Sequence, residues 1–422
     1  MSRHLMKTLP AALALALSAS AAQAALPIDF GGYLRSGFGT SGEGGKEACF
    51  GLAGAGSKYR LGNECETYSE LKFGGDAFKA PNGSTFHINT LLAFSVAQNQ
   101  DWEQSSPAWR ELNVVVDHVG SGALADAKAW VGKRYYDRQD VHIIDYYFWN
   151  NSGPGAGIEN IDLGGAKLAY AIVRNADPAY GLSADSTNSN AAQVADSKRT
   201  AFAHDLRVSA IKVNPDGELT LGLQVNQKRN APAASAIAGG YLLTAMHTQA
   251  NLLGGFNKVA LQYGTGSAAT TGGINLGAGS DDKVARLTEQ LMVQPKGDWS
   301  GMATFVYEDK QTAGVHSKWT SAGARPVYHF ADNLSLAAEL GFDTVKPDGQ
   351  ATRHLTKFTI APQLAAGNSF WSRPVLRAFY TYAKWNDAAQ AAAGAGDALS
   401  TSGVFGKKTN GSSVGFQVEA WW

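Results

Sequence analysis

The chain has 422 residues, 44% of them hydrophobic, with 36 basic side chains against 36 acidic ones. That balance, with no basic stripe, argues against a nucleic-acid partner. Past the first two dozen residues no run of 18 apolar residues occurs, so no transmembrane helix is expected.

The chain opens on a secretory signal. Arg3 and Lys7 form a basic start, residues 9–17 a short apolar core, and Ala22-Gln-Ala24 a cleavage site. Such a segment is too short to span a bilayer as a helix. Residues 1–24 are therefore predicted to be a signal peptide and 25–422 a single exported domain. In Asp29-Phe-Gly-Gly-Tyr-Leu-Arg-Ser-Gly37, Asp29, Tyr33 and Arg35 share one face of a strand while Phe30 and Leu34 share the other. Cys49 and Cys65 enclose a short Gly-rich stretch; in an oxidising compartment they are expected to pair, the alternative being two buried thiols. Residues 68–73 place Tyr68, Glu70 and Lys72 opposite Leu71 and Phe73, and residues 86–95 alternate in the same way.

The densest polar stretch, residues 133–149, fits no clean strand and suits a loop folded into a pore. Read as an enzyme site, Asp140, His142 and Asp145 lack a partner cluster elsewhere. Neither metal nor cofactor is expected, and catalysis is not. Gly153-Pro-Gly-Ala-Gly157 lacks the spacing of a phosphate loop and reads as a turn. Residues 175–196 and 387–413 are rich in turn formers and read as external loops. Residues 219–226 and 334–343 alternate cleanly. In the last seven residues Phe416, Val418, Ala420 and Trp422 oppose Gln417, Glu419 and Trp421.

Period-two segments behind a secretory signal, closing on an aromatic, predict an outer-membrane β-barrel rather than a soluble sandwich. Strands, turns and loops consume roughly 22 residues per strand, which gives about 16 to 18 strands, wide enough for an aqueous channel. Parity sends Tyr33, Arg35, Tyr68, Glu70 and Trp421 to the lumen. Aromatics among paired charges suit a sugar: a pyranose stacks its C–H face on a ring and bonds its hydroxyls to Arg, Asp or Glu.

Several stretches resemble the maltoporin family of sugar-specific outer-membrane porins. They are 29–37, Ser57-Lys-Tyr-Arg-Leu-Gly-Asn-Glu-Cys-Glu-Thr-Tyr68, Ser95-Val-Ala-Gln-Asn-Gln-Asp-Trp-Glu103, 132–147, 152–157, Gly255-Phe-Asn-Lys258, Trp371-Ser-Arg-Pro374 and Tyr382-Ala-Lys-Trp385. The resemblance implies an 18-stranded antiparallel barrel, a homotrimer, and facilitated diffusion of maltose and maltodextrins. It implies an aromatic slide of Tyr33, Tyr68, Phe256, Trp371 and Trp421, with Trp102 supplied to a neighbouring subunit. The polar tracks would be Arg35, Arg60, Glu70, Arg110, Arg138, Asp140, His142 and Asp145. Tyr147 would form the constriction, where a sucrose-transporting branch has an acidic residue, and Cys49 with Cys65 the loop disulfide. Residues 175–196, 230–240 and those after Trp385 depart from the family pattern. A porin for another glycoside (sucrose or an aryl-glucoside), or a less selective porin, is the alternative on the same scaffold.

Overall fold

The computed structural model describes residues 28–176, 200–230 and 236–422; the leader lies outside them. Alternation of apolar and polar side chains makes most of the chain strand. β1 (Asp29–Ser41), β2 (Thr67–Lys79), β3 (Thr85–Val96), β4 (Ala108–Asp117) and β5 (Lys128–Arg134) follow one another. β6 (Gln139–Val141) and β7 (Tyr146–Trp149) form a small separate hairpin. Then come β8 (Gly153–Asp162), β9 (Lys167–Ala176), β10 (Thr200–Asn214), β11 (Gly217–Asn226), β12 (Gly240–Leu252), β13 (Gly255–Thr265) and β14 (Lys283–Val293). β15 (Trp299–Thr312), β16 (Val315–His329), β17 (Leu334–Pro347), β18 (Arg353–Ala365), β19 (Val375–Trp385) and β20 (Asn410–Trp421) complete the set.

Apart from the β6–β7 hairpin, each strand pairs antiparallel with its chain neighbours, giving an 18-stranded sheet. β20 then pairs with β1, from Tyr33 opposite Trp421 to Ser41 opposite Ser413, and closes the barrel. Closure leaves no strand edge unpaired, which lipid demands. Asp29 and Trp422 lie at one rim with the mostly short turns, so that rim is periplasmic and the longer connections are extracellular. The outer wall exposes Phe38, Leu221, Leu223, Leu340, Phe342 and Phe416, while Gln224, Glu339, Asp343, Gln417 and Glu419 point inward and are buried. The expected alternation at 86–95, 219–226 and 334–343 falls in β3, β11 and β17, and that at 416–422 in β20 with Trp422 just past its end, the faces being as read.

Two expectations are corrected. Gly153–Gly157 is not a turn but the start of β8. Its glycines lie against the neighbouring wall: a Cβ on Gly155 would meet the Ile172 carbonyl at 2.3 Å, and one on Gly157 the Trp130 indole at 2.6 Å. Residues 410–413 belong to β20, so the last external connection is 386–409; it opens with the short helix α1 (Asp387–Ala392), which Asn386 caps. Most of 175–196 lies outside the described residues.

Candidate functional site

Two loops fill the barrel. The first, 42–66, joins β1 to β2 and carries the Cys49–Cys65 disulfide. It lies on the inner wall of β16 to β19. Gly323 and Gly341 make room for the Tyr59 ring, where a Cβ would come within 2.2 and 2.5 Å of it. Lys357 donates to the Lys58 and Tyr59 carbonyls, Leu61 N donates to Glu339 at 3.0 Å, and Thr381 donates to the Gly62 carbonyl at 2.9 Å.

The second loop, 135–152, contains β6 and β7. Its Val141, Ile143, Ile144, Phe148 and Trp149 are buried in the cluster that also holds Phe50, Leu52 and Leu61 of the first. The Arg207 guanidinium sits 4.0 Å above the Trp149 ring and donates to the Asp137 carbonyl, and Gln290 donates to that of Asp140. The loops are joined by Lys58 N to the Ile144 carbonyl (2.8 Å) and Arg60 N to that of Ile143 (3.0 Å). Apolar sequence within each loop thus holds its polar residues against the remaining lumen.

That lumen contains a cavity of about 420 Å³ lined by Tyr33, Arg35, Arg60, Tyr68, Glu70, Arg110, Tyr135, Arg138, Asp140, His142, Asp145, Tyr147 and Trp421. Eight polar-track residues, the constriction tyrosine and three of the slide aromatics meet there. Phe256, under Lys258, and Trp371, in the turn between β18 and β19, are half-buried beside the same core. The Trp371 ring stands 5.0 Å from that of His142, and Trp421 stands 6.2 Å from it on another side. Trp102 is not brought to the cavity: it is 75% exposed on the connection between β3 and β4.

The charges are closely compensated. Arg35 pairs with Glu64 (3.1 Å), Glu66 and Asp145 (3.7 Å). Arg60 pairs with Glu64 (2.8 Å) and Glu419 (3.2 Å) and donates to the Tyr33 hydroxyl. Burial alone would lower Arg60, but Glu64 and Glu419 hold its guanidinium well above its usual value. Burial would raise Glu64, yet Arg60 and Arg35 hold it below the usual carboxylate range. Burial, with Arg60 beside it, keeps His142 far below its ordinary value, so its imidazole is neutral; burial raises Asp140.

Other groups are left with little to bond. Arg138 lies over the rings of Tyr135 (3.4 Å) and Tyr147 (4.7 Å), and Arg110 over Tyr135. Among the described residues neither guanidinium nor the Asp140 carboxylate makes a direct hydrogen bond, and His142 Nε2 is buried without a partner. The arrangement offers donors, acceptors and ring faces side by side.

Tyr135, Glu64, Glu66 and Arg373 were not among the predicted site residues. Tyr135 donates to Glu70 at 3.0 Å, and Arg373 sits 4.3 Å above Trp421 while pairing with Glu419 at 2.8 Å. Their signal was available: Tyr135 lies in the densest polar stretch, and Glu64 and Glu66 flank Cys65. A second polar cavity, about 500 Å³ and nearer the periplasmic rim, includes Asp29, Lys72, His87 and Asp117; His87 bonds Asp117 at 3.0 Å and also pairs with Asp76.

The family model described as LamB porin matches residues 28–422. Among solved structures, OccAB1 of Acinetobacter baumannii is 10% identical, with 96% of this chain and 98% of that one covered and a TM-score of 0.51. The outer membrane protein OpdK of Pseudomonas aeruginosa is 11% identical over 94% and 98%, with a TM-score of 0.48. OmpT of Vibrio cholerae in its trimer form is 10% identical over 94% and 100%, with a TM-score of 0.40. The first of these bears on the fold alone.

Proposed function

This chain belongs to the LamB porin family, and on that premise we propose that its outer-membrane channel carries maltose and maltodextrins by facilitated diffusion. The observation that carries the reading is the cavity in which Tyr33, Tyr68 and Trp421 face the unbonded Arg110, Arg138 and Asp140. Rings supply stacking for the apolar face of a glucose unit, and the guanidinium and carboxylate groups supply charge-assisted bonds to its hydroxyls. Paired charges repel neither sign of ion strongly, which suits an uncharged solute. Several weak sites in series let a sugar enter and leave again. Tyr147, which lines the cavity with Arg138, is the constriction in this reading. The subunits assemble as a homotrimer, in which the exposed Trp102 extends the slide of a neighbour.

In planar bilayers, maltohexaose blocks the open-channel current more strongly than sucrose; equal block, or none, would sink the reading. Trp371→Ala weakens that block by about 2- to 10-fold, the scale of one aromatic contact, without reducing assembly. Unchanged block would remove Trp371 from the slide.

A further inference from the structure

The outer wall carries a charge pattern that the channel does not use. On β16 and β17, Lys318 and Lys346 stand directly opposite each other in register. Both point outward, because their chain neighbours Trp319 and Val345 are buried inside. On β18 the exposed His354 pairs with Thr344, two residues from Lys346. On β19 the exposed Lys384 pairs with Thr356, and Lys283 of β14 stands opposite Gln311. Outward lysines therefore occupy the extracellular ends of four of six consecutive strands, β14 to β19, and a histidine that of a fifth.

Like charges directly opposite on one sheet face repel. Among the described residues one acid lies within ion-pair distance of them: Asp309 is 3.9 Å from Lys318 Nζ and 3.0 Å from His316 Nδ1, while Asp348 and Asp281 are exposed nearby without a direct pair. Among the described residues the Lys346 and Lys384 ammonium groups have no partner. The connections directly above Lys318 and Lys346 are short, 313–314 and 348–352, while the longer 386–409 rises beside His354, whose N–H donates to Asn386 Oδ1 at 3.0 Å. Toward the middle of the wall the same face exposes Tyr307, Phe342, Phe358 and Tyr382. The opposite rim of these strands exposes Trp299, Phe330, Leu334 and Leu364, with the half-buried Tyr328 against Trp299 and no outward lysine on its strands. Aromatics mark the two membrane interfaces, so the lysines stand at headgroup height in the outer leaflet only.

We propose that the ledge formed by Lys318 and Lys346, flanked by His354 and Lys384, binds the phosphate groups of a phosphorylated lipid of the outer leaflet. Its acyl chains lie along the aliphatic and aromatic wall below. An anion between the two lysines replaces their repulsion with charge-assisted hydrogen bonds, and clustered basic residues at a membrane surface attract anionic lipid.

The test uses the full protein in detergent, with lipid retention read by native mass spectrometry. The probes are a bis-phosphorylated, multiply acylated glucosamine disaccharide, its dephosphorylated form and its deacylated form. The protein retains the phosphorylated lipid at least about fivefold over the dephosphorylated one. The Lys318→Gln/Lys346→Gln double variant loses that preference, while Lys296→Gln in the opposite-rim turn keeps it. Unchanged open-channel conductance shows that the variant is folded; should the pair fail to assemble, Lys346→Gln alone is read the same way. Equal retention by protein and variant, or no preference for phosphate, overturns the proposal. Equal binding of the deacylated headgroup also overturns it, by assigning the ledge to soluble phosphates.

Discussion

At the scale of single residues, the lumen shows how packing around one side chain can hold a neighbouring ring at the cavity. Tyr147 extends from β7, whose neighbours Tyr146, Phe148 and Trp149 are buried and hold its position. Its ring contacts the Arg138 guanidinium at 4.7 Å, close enough for cation–π attraction. Tyr147→Ala removes a ring facing the cavity without emptying the buried cluster. The expected result is a higher single-channel conductance together with maltohexaose block weakened about 2- to 10-fold; bilayer recordings measure both. An unchanged conductance would place the narrowest point elsewhere. The parity of single residues was readable in the chain because strand side chains alternate strictly, so Tyr33, Arg35, Tyr68, Glu70 and Trp421 could be sent inward from spacing alone. The placement of Arg60, Arg138 and Asp140 was not readable in that way, since all three lie on loops with no fixed period.

At the scale of elements, the loop 42–66 is held to the wall by polar contacts that differ in their response to pH. Its Glu47 carboxyl lies next to Gly39 of β1, with one oxygen buried and unbonded. Burial, reinforced by Glu64 and Glu66, pushes Glu47 up to about 7. The folded value thus exceeds the unfolded one of about 4.3. The contribution to loop packing is complete below that lower value and is lost as pH rises through about 7. Exchange protection of the Ala48 and Phe50 amides, bonded to Ser413 and Asn63, is accordingly expected to fall between pH 5 and pH 8. Glu47→Gln should flatten the change; an equal pH dependence in the variant would remove Glu47 as its source. The sequence marked 133–149 as a loop folded into a pore, but gave no sign that 42–66 would meet it. The bonds from Lys58 and Arg60 to Ile144 and Ile143 join segments more than 80 residues apart, and no local pattern encodes such a meeting.

At the scale of the whole molecule, the barrel separates two solvents by the parity of its strands. Leu340, midway along β17, faces lipid, while the adjacent Glu339 is buried inside with Arg325, their ion pair 2.6 Å long. Leu340→Lys would place an ammonium near the bilayer centre and is expected to cost about 2–4 kcal/mol. Asn89→Lys on the inner face of β3, beside the periplasmic cavity, should cost under about 1 kcal/mol, because water reaches the lumen. Guanidinium unfolding in phospholipid vesicles compares the two, and equal costs would contradict the assignment of faces.

The amino-acid sequence by itself determined the class of molecule and the inward or outward sense of its strands, because both follow from a period of two that is written residue by residue. It misread Gly153–Gly157 as a turn, since glycine is also the residue that lets neighbouring backbone and an indole approach a strand closely. Only the tertiary structure decided that two loops from different parts of the chain would share one core and leave a polar cavity between them and the wall. It also decided that lysines from separate strands would form an outward ledge. Both depend on register between strands distant in sequence, which is fixed by the closure of the barrel.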